Sequence, residues 1–123
     1  GNVTGYINGQ LDDADSSDAT NIANSGNLTI AALNASDTSA VSVSEVAIYN
    51  KALSGAEVKT IYNGREPYNH IESSLSNNLT GWWRMGDGIE RGSGTTIYDM
   101  SNNTNNGTMT NMDATDDYVG DRP

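Results

Sequence analysis

No cysteine occurs in the chain, which removes disulfides and thiolate metal sites from consideration and leaves the compartment undecided. Basic residues are scarce as well. Six Lys or Arg stand against sixteen Asp or Glu, a formal net charge of −10. No cluster of cations is present to neutralise phosphates, so nucleic-acid binding is not expected. No apolar run approaches the length of a membrane-spanning helix, and no membrane insertion is expected. The single histidine, His70, sits in a polar stretch without a nucleophile motif beside it, so no Ser-His-Asp arrangement is signalled. Phenylalanine is absent, and the aromatic set is two tryptophans and six tyrosines.

What fills the chain instead is small and polar. Asn, Ser, Thr, Gly and Asp together make up 65 of 123 residues, whereas Leu, Ile and Val total 20. Ordering a residue costs about 1.5 kcal/mol, and a fully buried large aliphatic returns about 1.5–3 kcal/mol. That core is thin for one domain of this length. We therefore expect neighbouring chains, or further parts of a longer one, to complete the fold. The first residue is Gly1 rather than Met, which fits a processed or partial product. Acidity is uneven: residues 1–44 carry five Asp and no basic residue, while residues 45–84 balance four Glu with four Lys or Arg.

Along the chain, "VTGYINGQL" reads as a hairpin turning at Asn8-Gly9, a pair that tolerates the positive φ angles of a type I′ turn. "GNLTIAAL" predicts a strand with Leu28 and Ile30 on one face. "AVSVSEVAIYN" predicts the clearest strand, with a change of register near Glu45. One helix is predicted over about 54–63: Ser54 and Glu57 form an S-x-x-E capping box, Val58, Ile61 and Tyr62 a short apolar stripe, and Asn63-Gly64 the stop. Residues 65–78 read as a linker. "NLTGWWRM" predicts a strand, "GDGIERGSG" a loop, "NGTMTNM" a last strand, and the acidic end an irregular tail. Short strands and polar turns point to an antiparallel, all-β sandwich.

The tryptophan pair in "GWWRMGDG" poses the main functional question. Side chains alternate across a strand, so Leu79, Trp83 and Met85 share one face and Thr80, Trp82 and Arg84 the other. Trp83 is then a core anchor. Trp82 falls on the polar face, with Arg84 placed to lie over its ring, and is assigned to a protein partner or, alternatively, to a sugar ring. Tyr98 joins Trp82 and Arg84 as a candidate interface or glycan-stacking residue. "GDGIERG" is no phosphate loop, because Arg91 replaces the third glycine and no Walker lysine follows. Asp12, Asp13, Asp15, Asp18 and Asp87 are the weak candidates for a cation site, calcium being the ion such oxygens would take. Glu90 and Asp99 would join Asp87 if their loops converge. The run from Asp12 to Asp18 lacks the glycine and glutamate of an EF-hand loop and reads as a solvated acidic loop. No cofactor is required by any motif. Asp87 and Glu90 are the nearest approach to a glycosidase pair, on a glycine-rich turn that would not fix them. An enzyme is not expected.

"SEVAIYNKALSGAEVKTIYNG" resembles the closing signature of concanavalin A-like, laminin G-type domains, a strand running into a short capped helix. "GYINGQL" resembles that family's hairpin, and "GNLTIAAL" its next strand, although Ala31 stands where a glycine is usual. "LTGWWRMGDG" with "TIYDMSNNTNNGTMTNMD" resembles the family's opening strands, and the combination also resembles structural proteins of marine bacteriophages. The resemblance implies a small or incomplete jelly-roll-like sandwich, with residues 1–64 as its closing part, 65–78 as linker and 79–123 as its opening part. It further implies a non-enzymatic structural module of a virion, such as a head decoration, fibre or appendage, bound to protein neighbours and homo-oligomeric. The alternative it implies is an extracellular carbohydrate-binding or adhesion module, with calcium assisting. The localisation expected is virion or extracellular.

Overall fold

The computed structural model describes residues 3–15, 26–30, 32–34, 37–38, 43–85 and 94–110. Among these lie eight strands and one α-helix: β1 Val3–Ile7, β2 Gln10–Asp15, β3 Ala32–Asn34, β4 Asp37–Thr38, β5 Val46–Tyr49, α1 Gly55–Tyr62, β6 Leu79–Trp83, β7 Thr96–Ile97 and β8 Gly107–Thr108. They pair antiparallel as β1-β2, β3-β4, β5-β6 and β7-β8, each a two-stranded sheet. The described residues thus form a small all-β fold with a single short α-helix. It divides into two compact units, one from Gly1–Leu28 with Leu53–Tyr68, the other from Thr29–Ala52 with Asn69–Pro123.

In the first unit the hairpin turns at Asn8 and Gly9, both at positive φ (53° and 72°). That is the backbone the Asn-Gly pair accommodates at little cost. A bulge between Gly5 and Tyr6 shifts the register, so that Tyr6 faces Leu11 while Gly5 faces Asp13. The helix starts as the capping box requires: the Ser54 side chain accepts from the Glu57 N–H, and the Glu57 carboxylate accepts from the Ser54 N–H at 2.8 Å. It ends at Asn63, left-handed at φ 46°, whose N–H reaches the Lys59 carbonyl. Two tyrosines join helix and hairpin. A Cβ on Gly55 would lie 3.4 Å from the Tyr6 hydroxyl, and one on Gly9 only 2.9 Å from the Tyr62 ring. The run from Asp12 to Asp15, expected as an acidic loop, is part of β2, because pairing with β1 extends as far as Val3.

The second unit is built around β5 and β6, paired as Val46↔Trp83, Ala47↔Trp82 and Ile48↔Gly81, with a bulge that leaves Thr80 unmatched before Tyr49↔Leu79. Among the described residues its buried apolar side chains are Leu75, Leu79, Trp82, Trp83 and Met109. Glu45 adopts φ 54° and breaks the predicted long strand there, so that β5 begins only at Val46; Val41 lies outside the described residues. Leu28 and Ile30 are not on a strand. They precede β3 at 60% and 37% exposure, because the ladder here is the short local pair β3-β4 and does not reach back to them. The segment read as a linker is structured: His70 and Leu75 are buried, and Ser76–Asn78 forms a 3₁₀ turn leading into β6.

Candidate functional site

The residues with chemical potential gather around β6. This strand buries four of its five positions and leaves Thr80 alone exposed. The expected division into an apolar and a polar face therefore fails, since both tryptophans belong to the core. Trp83 folds back over Gly81, where an added Cβ would sit 2.3 Å from the indole. Its Nε1–H donates to the Asn105 carbonyl at 2.9 Å. On the side of β6 away from β5, side chains take the place of a third strand. The Trp82 N–H donates to Asp99 Oδ1 at 2.8 Å, and the Trp82 carbonyl accepts from the Met100 N–H at 2.7 Å. The Asn103 amide donates to the Leu79 carbonyl and the Asn105 amide to the Thr80 carbonyl, each at 2.9 Å.

Asp99 organises that segment. Its two carboxylate oxygens accept from the Trp82, Ser101 and Asn105 N–H groups and from the Ser101 hydroxyl, at 2.8–2.9 Å. Burial pushes its pKa up, but the donors of Trp82, Ser101 and Asn105 together outweigh burial and hold the carboxyl below its ordinary value. Asp99 was a conditional cation ligand in the sequence. Here four donors saturate its oxygens instead. Thr104 supplies the turn at φ 54°, unfavourable for a β-branched residue, and this brings the Asn105 N–H onto Asp99.

On the β5 side, Trp82 sits among Glu45, His70 and Arg84. Its Nε1–H donates to Glu45 Oε2 at 2.8 Å, and Arg84 Nε donates to Glu45 Oε1 at 2.8 Å. The Arg84 guanidinium carbon lies 5.7 Å from the Trp82 ring centre, the stacking the sequence suggested. His70, 3% exposed, meets the Trp82 ring edge-on at 5.0 Å between centres. The Tyr49 hydroxyl and His70 Nδ1 share a hydrogen bond of 2.5 Å. Desolvation lowers the His70 pKa, opposed by the nearby Glu45 carboxylate. The cluster ties β5, β6 and the 70–75 turn together and buries Trp82, at 6% exposure.

The remaining candidates are scattered. Tyr98 stays on the surface, 37% exposed. Asp12 and Asp13 are exposed on β2, where Asp15 also lies; Asp18, Asp87 and Glu90, with the predicted loop around the last two, are outside the described residues. Among the described residues no three His, Asp or Glu side chains converge as cation ligands. Sequence reasoning missed Glu45, His70 and Asp99 as the organisers of the tryptophan site. Trp82 lies 12 positions from His70, 17 from Asp99 and 37 from Glu45, and the one local signal was the register change at Glu45. A shallow cleft of about 210 Å³ lies nearby, lined by Ile71, Leu79 and the polar residues Ser76, Asn77, Ser101, Asn102 and Asn103. Compared with known proteins, the chain matches no family model, no curated protein and no solved structure.

Proposed function

We propose that the chain is a non-enzymatic structural module of a bacteriophage virion, a small sandwich of the concanavalin A-like kind whose sheets are completed by protein neighbours. One observation carries this reading: each described sheet has two strands, while Val3, Ile7 and Leu11 on the hairpin are 56%, 59% and 62% exposed. Two-stranded sheets are marginal alone in water, and aliphatics gathered on one hairpin are the material of an interface. The buried carboxylate, imidazole and indole groups are engaged with their own chain, as in a scaffold. The test is sedimentation of the chain over a wide dilution series, alone and mixed with the other proteins of its particle. Concentration-dependent association or co-sedimentation is expected. A monomer that ignores both dilution and every particle protein would defeat the reading.

A second reading is carbohydrate binding at the cleft. Its polar lining has no charged side chain, Ile71 adds an apolar edge at 38% exposure, and Tyr98 is also exposed. A glycan array, run with and without chelator, separates the two. Silence in both conditions removes the carbohydrate reading and any calcium dependence with it.

A further inference from the structure

We infer that the outer face of the β1-β2 hairpin docks a protein segment in which aliphatic side chains are bordered by Lys or Arg. The inference rests on the structural-module reading and names the chemistry of one partner. Val3, Gly5 and Ile7 alternate onto a single face of β1, and the register places Asp13 opposite Gly5 and Gln10 opposite Ile7, on the same face. Tyr6 points the other way, toward Gly55 at the start of α1. The outer face thus carries an aliphatic row, Val3 and Ile7, beside an acidic and amide row. Between the two aliphatics Gly5 leaves a notch. A Lys or Arg stem fits there, with its charge reaching Asp13.

The charge selects the occupant. Asp12 and Asp13 are both exposed, and the compact unit they belong to, Gly1–Leu28 with Leu53–Tyr68, carries six acidic residues against Lys59 and Arg65. A second copy laid face to face would bring Asp13 against Asp13 between two chains of charge −10, which is repulsive. Anionic lipid is disfavoured for the same reason. A neutral glycan would leave the aliphatic row uncovered. A basic, apolar segment satisfies both rows.

The probe is a synthetic amphipathic peptide with a leucine stripe bordered by lysines, titrated against the whole chain by calorimetry. Comparison peptides have the lysines replaced by glutamates, or the same composition in scrambled order. Binding of the lysine peptide alone is expected, weakening as salt is raised. Ile7→Thr should weaken it about tenfold, the scale of one aliphatic burial, and Asp13→Asn should weaken it at low salt only. Glu66→Gln, which removes the same charge from the exposed Glu66, should leave it unchanged. Ile7 is largely exposed and Thr keeps strand propensity, so both hairpin variants should retain the parent's circular dichroism. Equal binding of the three peptides, equal loss in Glu66→Gln, or no binding overturns the inference. If the peptide fails yet the chain self-associates in a way that Ile7→Thr abolishes, this face is homotypic and the structural-module reading stands. If the peptide fails and no association of any kind is found, both fall.

Discussion

Asp99 is a single side chain holding three backbone N–H groups in place, and its removal should be felt well beyond its own turn. Hydrogen bonds to a charged group contribute about 1.5–3 kcal/mol, and a buried donor left without its acceptor adds a penalty of similar size. Asp99→Asn keeps one oxygen and turns an amide toward donors, so we expect a loss of about 2–3 kcal/mol in urea unfolding. Gly81→Ala should be at least as damaging, since the new methyl must displace the Trp83 indole; overpacking of this kind costs about 1–3 kcal/mol or more. Two titrations should also mark the stability profile. A folded-state pKa below the unfolded value means that the unfolded chain takes up the proton first, so stability falls with falling pH. For His70 the decline begins as pH drops through about 6.5 and levels off below the folded pKa; for Asp99 it begins near about 3.9. His70→Phe should remove the first decline and leave the second, as read by urea midpoints across pH. A profile flat between neutrality and pH 5 in the parent would contradict the placement of His70.

At the scale of elements, α1 was legible because everything that specifies it is local. Ser54, Glu57 and Asn63 lie within one short segment, and each occupies the capping position its chemistry favours. Ser54→Ala should cost about 1 kcal/mol, and Glu57→Gln, which keeps the box, distinctly less. The hairpin was legible for the same reason, through Asn8-Gly9. Strands that depend on distant partners were read less well. Period-two alternation at Leu28 and Ile30 describes a side-chain pattern without naming a partner, and none of the described strands pairs there. Trp82 was misplaced because alternation presumes one wet face, whereas β6 is covered on both. The covering groups, His70 and Glu45 against Trp82, Asn105 against Trp83 and Asp99 along the edge away from β5, are polar residues that look like surface in the sequence. Their burial follows only from contacts that chain order does not reveal.

For the molecule as a whole, the described core is small and the hairpin aliphatics lie in water, so apparent stability should depend on company. We expect the thermal midpoint to rise with protein concentration, or on adding a bound partner, because ligands of the folded state stabilise it by mass action. A midpoint independent of both would mean that one chain suffices. The jacket of side chains over β6 has a bearing on how such company is joined. With Leu79, Thr80 and Trp82 already answered by Asn103, Asn105, Asp99 and Met100, a newcomer cannot extend the ladder from that flank. Growth of this sheet through the β6 flank, and with it runaway fibre formation from that side, is blocked by the side chains of Asp99, Asn103 and Asn105 together with the Met100 N–H.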